Sequence, residues 1–245
     1  MTKLLRLLSV AALLLVVSLV SAQDAENIEY GDVAEGEMTE DEFEFNYTFE
    51  GTEGDVVIVS FRPVEEFGDL GSPIIIVTDE DGDTVADTTD AFVFGNLIVA
   101  AELENDGEYN IFLTRADGRS GDSVGEFTLE LINLPILEVG SPLEAEETDS
   151  DSRSQYYAVK SDENWGLSYL KLDGSMEVEV AVNTIDTTSA SLIEVASVDG
   201  DMMNEAAIGI FEGGDTYVVS IGEPLFAFNF DTVDAEYSLE LLTFE

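Results

Sequence analysis

The stretch Thr78 to Val85, TDEDGDTV, sets Asp79, Asp81 and Asp83 at alternating positions, with Asp87 and Asp90 further on. Calcium takes oxygen ligands alone, so Asp79, Asp81, Asp83 and Asp90 are the candidate metal set. As an EF-hand loop the stretch fails. Gly82 is the fourth residue from Asp79 where the sixth is needed, the twelfth is Asp90 where a bidentate Glu is usual, and strands take the place of flanking helices. The same residues also spell a hairpin turn, for which Asp81-Gly82 between apolar runs is a strong signal. A second acidic run, EAEETDSD from Glu144 to Asp151, reads as a solvated loop.

Catalytic chemistry finds little to work with. The chain has no His and no Cys, which excludes a Ser-His-Asp triad, a cysteine nucleophile and an ordinary zinc site. Beyond Lys3, only Lys160 and Lys171 remain, neither in a Ser-x-x-Lys arrangement, and no Asp-Thr-Gly or Asp-Ser-Gly triplet occurs. A glycosidase needs only two carboxylates at the right separation, so a hydrolase with an unrecognised carboxylate pair stays open as an alternative. The expectation is a protein that is not an enzyme.

Aromatic side chains offer a different kind of site. Trp165, the single tryptophan, is the candidate ligand residue for a carbohydrate-binding reading, since sugars stack on such a ring; packing in a core is the competing role. The LFAFNF segment, Leu225 to Phe230, is either a contact patch or core material.

Composition narrows the partners. The first 22 residues join Lys3 and Arg6 to an apolar run ending in Val20, Ser21 and Ala22, which is a signal peptide cut before Gln23. Removing it leaves 54 acidic against 6 basic residues, a net of −48. Nucleic acid is excluded as a partner, because binding it requires Lys and Arg to neutralise phosphates. Anionic membrane surfaces are disfavoured for the same reason, and no later stretch is apolar enough for a span. The partners that remain are an extracellular protein or a polysaccharide, and calcium is the one cofactor for which the sequence offers ligands. Charge of this size strains a compact state unless salt or bound cations screen it. Yet the chain is 45% hydrophobic with 14 Phe and 8 Tyr, so it folds.

The elements that must carry these residues are strands. In FEFNYTFE, Phe43, Phe45, Tyr47 and Phe49 alternate with Glu44, Asn46, Thr48 and Glu50, the pattern of a half-buried strand. DVVIVSF, PIIIVTD, TVADT, NLIVAAEL, EYNIFLTR and EFTLELINL follow, each bounded by turn residues and with no amphipathic helix among them. That spacing predicts an antiparallel sandwich.

The chain also repeats itself at offsets near 110 residues. FNYTFEG from Phe45 aligns with QYYAVKS from Gln155, GEYNIFL from Gly107 with DTYVVSI from Asp215, and EFTLELINL from Glu126 with EYSLELLTF from Glu236. Asp81-Gly82-Asp83 reappears as Asp199-Gly200-Asp201, while Asp79 becomes Ser197. What both copies share is what a turn requires; what the first adds is what calcium would need.

The segments YGDVAEGEMTEDEFEFNYTFEGTEGDVVIVSF, DEDGDTVADTTD and LENDGEYNIFLTR, in that order, resemble the bacterial pre-peptidase C-terminal domain family over most of Ile28 to Leu134. The second copy follows the same strand and turn order but departs at Trp165, at the Leu167 to Leu172 strand and at Met202-Met203. The resemblance implies a jelly-roll-like sandwich on a secreted protein, of a kind often joined to peptidases or adhesins, some of which bind calcium or extracellular polymers. No catalytic domain accompanies it here. The expected fold is therefore all-β: a signal peptide (1–22) and two tandem antiparallel jelly-roll-like β-sandwich domains (23–134 and 135–245). The expected role is a secreted or cell-surface binding or structural module stabilised by calcium, with carbohydrate binding as the alternative.

Overall fold

The computed structural model describes residues 25–64, 73–88, 97–146, 154–161, 167–174, 179–185, 192–199, 205–209, 214–222 and 236–244. Among them the regular structure is β apart from one 3-10 turn at Gly118–Ser120, and no helix is long and apolar enough to cross a membrane.

The first half contributes β1 (Glu26–Asn27), β2 (Val33–Met38), β3 (Phe45–Gly51), β4 (Val56–Pro63), β5 (Pro73–Thr78), β6 (Thr84–Asp87), β7 (Leu97–Glu102), β8 (Gly107–Arg115) and β9 (Gly125–Asn133). They form two sheets, ordered β1-β3-β8-β5-β6 and β2-β9-β4-β7. Apart from the short parallel β1–β3 contact the pairs are antiparallel and nested: β5 with β6, β4 with β7, β3 with β8, β2 with β9. A nested ribbon rolled so that alternate pairs fall on opposite sheets is the jelly roll.

The second half contributes β10 (Leu143–Glu146), β11 (Ser154–Lys160), β12 (Leu167–Gly174), β13 (Glu179–Ile185), β14 (Leu192–Asp199), β15 (Glu205–Gly209), β16 (Thr216–Gly222) and β17 (Glu236–Phe244). Its sheets run β11-β16-β13-β14 and β10-β17-β12-β15. The first half's order β3-β8-β5-β6 and β2-β9-β4-β7 thus recurs strand for strand. In that correspondence β13 and β14 match β5 and β6, and Asp199 ends β14, so the expected equivalence of Asp81-Gly82-Asp83 with Asp199-Gly200-Asp201 does not hold in the fold.

Alternation explains the first core. Tyr47 and Phe49 of β3, Tyr109, Ile111 and Leu113 of β8 and Ile75 and Val77 of β5 meet Val57, Val59 and Phe61 of β4 and Phe127, Leu129 and Leu131 of β9. The rings pair as well as bury: Phe49 stacks on Tyr109 at 5.4 Å and Phe61 on Phe127 at 5.3 Å, each worth about 0.5–1.5 kcal/mol beyond area.

β4 does not alternate. Val56 through Phe61 are all buried, the signature of a strand covered on both faces. Its outward residues Val56 and Ile58, with Ala100 of β7 and Leu134, pack against Ala158 of β11 and Val218 of β16. The second half therefore docks its β11-β16-β13 sheet on the outer face of the first half's β2-β9-β4-β7 sheet. The chain between them is pinned at each step: the Leu134 amide donates to the Val56 carbonyl (2.8 Å), the Leu137 amide to Ala158 (2.8 Å) and the Gly140 amide to Leu241 (2.8 Å).

Candidate functional site

The turn between β5 and β6 shows what Asp79 does. Its Oδ1 accepts the backbone amides of Asp81 (3.1 Å) and Asp83 (2.8 Å), its own amide donates to the Asp83 carbonyl (3.0 Å), and its carbonyl accepts from Gly82 (3.1 Å). Gly82 sits at φ +84°, a conformation that favours glycine. This is an Asx-type turn, in which a carboxylate satisfies amides that a tight reversal leaves over. Asp81 is exposed. Asp90 and Trp165 lie outside the described residues, as do residues 1–22 and the LFAFNF segment. Among the described residues no group of three or more acidic side chains is disposed to hold a metal ion.

Asp79→Ala is expected to lower stability by about 1 kcal/mol, the usual value of a lost side-chain cap. Melting wild type and variant in calcium chloride, and in sodium chloride of equal ionic strength, tests the turn against the metal. If the turn is the whole role, both salts raise the wild-type Tm equally. A larger rise in calcium that vanishes in Asp79→Ala would show a metal site at Asp79, Asp81, Asp83 and Asp90 instead.

Asp79 and Asp83 also help to line a cleft of about 930 Å³ where the two halves meet. Three further parts of the first half reach it: the β3–β4 turn with Glu53 and Gly54, the end of β7 with Glu102, and the following loop with Glu104. Asp215 and Thr216 at the start of β16 enter from the second half. Among the described residues six acidic ones thus line one concavity: Glu53, Asp79, Asp83, Glu102, Glu104 and Asp215.

Backbone bonding fixes these groups. The Gly54 amide donates to the Leu103 carbonyl and the Leu103 amide to the Asp55 carbonyl, both at 2.8 Å, so turn and β7 are clamped together. The Glu53 amide donates to Asp106 Oδ1 at 2.8 Å. Opposite, Ser161 Oγ donates to the Asp215 carbonyl (2.8 Å) and accepts the Asp215 amide (2.9 Å), which places Asp215 and Thr216 at the rim.

One cation joins the walls. Lys160 Nζ, at the end of β11, donates to Glu102 Oε1 at 2.7 Å and to the Gly54 carbonyl at 2.5 Å, while Thr216 Oγ1 donates to Glu102 Oε2. Partial burial alone would raise the Glu102 carboxyl; the hydrogen bonds from Lys160 and Thr216 and the ammonium charge outweigh it and hold it below the usual carboxylate range. Lys160 was visible in the sequence only as a lysine without a motif. The repeat carries the signal that finds it, because Lys160 aligns with Glu50, a reversal of charge.

No family model matches the chain, and no curated protein matches it. Among solved structures it is similar to the pre-peptidase C-terminal domain of a collagenase from Bacillus anthracis, at 15% identity over 44% of this chain and 94% of that one, with a TM-score of 0.34. It is also similar to the CBM22-1-CBM22-2 tandem domain of Xyn10C from Paenibacillus barcinonensis, at 11% identity over 91% and 100% of the two chains, with a TM-score of 0.27. PNGase F, a glycosylasparaginase from Flavobacterium meningosepticum, matches at 8% identity over 86% and 96%, with a TM-score of 0.23. Likenesses this distant, one of them to an enzyme, leave function to the site itself.

Proposed function

We propose that the protein is an exported, non-catalytic β-sandwich module whose inter-half cleft takes a cationic ligand, a Lys- or Arg-rich segment of a partner protein. One observation supports the reading: among the described residues six acidic ones from both halves line a single cleft, where the described ion pair, Lys160 with Glu102, engages one of them and the turn amides hold Asp79. A concave, low-dielectric wall focuses the field of such charges on whatever enters. Export rests on the signal-like character of residues 1–22, and the repeated strand order supports reading 23–134 and 135–245 as copies of one unit. The non-catalytic reading is supported by a chain without His or Cys, which offers no triad and no thiol nucleophile. A polysaccharide is the weaker reading. The one aromatic among the described lining residues, Tyr109, is 2% exposed and offers no ring face for stacking.

The test must separate the cleft from the charge of the whole chain. Glu53→Gln/Glu104→Gln/Asp215→Asn removes three carboxylates from the cleft; Glu35→Gln/Glu37→Gln/Glu126→Gln removes three exposed ones from β2 and β9. Fluorescence anisotropy with labelled oligolysine is expected to show about tenfold weaker binding for the first variant and less than about twofold for the second. Equal losses would reduce the binding to a property of net charge and remove the cleft as a site.

A further inference from the structure

The docking between the halves is front to back: the sheet type that β4 belongs to in the first half meets the sheet type that β3 belongs to in the second. Such a contact does not close on itself, and nothing in its symmetry stops a further unit from stacking. The residues at the dock differ between the two halves. In the second half, Lys160 lies directly across from Thr216, and Ala158 directly across from Val218, in the β11–β16 register. Those pairs are the dock, since Ala158 and Val218 sit in the apolar cluster between the halves and Lys160 and Thr216 both bind Glu102. In the first half the same places in the β3–β8 register hold Glu50 across from Glu108, both exposed, and Thr48 across from Asn110. The apolar pair has become polar, and the cation with its hydroxyl has become two anions. Offered to a surface bearing Glu102, that face presents like charge to like and desolvates two polar side chains.

We infer that Lys160 is the residue that selects which sandwich face docks, and that Glu50 and Glu108 bar the matching face of the first half from the same contact. The inference stands whether or not the cleft takes a ligand. It concerns a choice among faces of one chain.

The decisive variant installs the first half's residue in the second, Lys160→Glu, in the full chain. It is expected to widen the radius of gyration in X-ray scattering and to speed amide exchange at Leu137 and Gly140 by at least about tenfold through local opening. Reversing the partner as well, Lys160→Glu/Glu102→Lys, is expected to slow exchange again and to restore the compact radius. Arg119→Glu, on the exposed 3-10 turn, changes net charge equally and is expected to leave both readouts unchanged. If Lys160→Glu does not yield folded protein, Lys160→Met removes the cation without adding an anion and is expected to speed exchange at the same amides. Wild-type exchange and radius in the folded single variant, or no recovery in the charge swap, would overturn the inference.

Discussion

Arg115→Met is expected to lower stability by about 3–5 kcal/mol, because several hydrogen bonds from one charged donor, each worth about 1.5–3 kcal/mol, are lost together. Arg115 ends β8 with 1% of its surface exposed. Its guanidinium donates from Nε to the Gly118 carbonyl (2.8 Å), from Nη1 to Thr39 (3.2 Å) and Ser123 (3.0 Å), and from Nη2 to Glu40 (3.3 Å). Its Cζ lies 4.6 Å from the centre of the Phe43 ring, a cation–π contact. One side chain thus ties the β8–β9 connection to the β2–β3 connection and satisfies four carbonyls that strand pairing leaves over. Methionine fills the volume and bonds none of them; the Gly118 carbonyl keeps the Gly121 amide (3.0 Å), while the buried Ser123 carbonyl loses its arginine donor, at a cost of about 1–3 kcal/mol. Lysine keeps the charge but lacks the planar fork, so Arg115→Lys is expected to fall between. Thermal unfolding checks both: for a chain of this size the methionine variant loses about 10 °C or more. A loss of only one or two degrees would mean that water reaches those carbonyls and the arginine is replaceable.

The second large effect comes from two neighbouring residues on opposite faces of β4. Ile58 points into the cluster between the halves and Val57 into the first sandwich. An aspartate at either place buries an unpaired carboxylate, a change on the order of 4 kcal/mol or more. The consequences differ in kind. Ile58→Asp is expected to part the halves while the first core keeps its fold, so unfolding splits into two transitions and scattering shows an extended particle. Val57→Asp is expected to unfold the first sandwich. Identical behaviour of the two variants would mean that the halves share one core and do not dock as separate bodies.

Much of this was legible in the sequence, for physical reasons. Phe45, Tyr47 and Phe49 point to one side because side chains on a strand alternate, and all three pack on the first core. The turn at Asp81-Gly82 was legible because few residues accept a positive φ. DVVIVSF was legible as a strand, and its unbroken apolar run held a further message, burial on both faces, that periodicity alone does not distinguish from a strongly hydrophobic edge. The cleft was not legible. Its acids lie on four separate first-half segments and just before β16, residues 53 to 215, and only tertiary docking brings them together. Lys160 and Arg115 share that obscurity: a basic side chain in an acidic chain reads as surface until its partners are known. The role of Asp79 lay between, since its spacing suits a ligand set and a turn equally; the structure adds the two amides that its Oδ1 accepts.

The position of that turn bears on how the chain finds its fold. β5 and β6 are the innermost of four nested pairs, and Asp79 closes them across Glu80 to Gly82. Closing a loop costs more entropy the longer it is, and chains dominated by distant pairings assemble slowly. The shortest loop is therefore expected to close first and to draw nearer the ends that each outer pair must join, which places the Asp79 turn at the opening of the expected folding route, ahead of any surface it later helps to form.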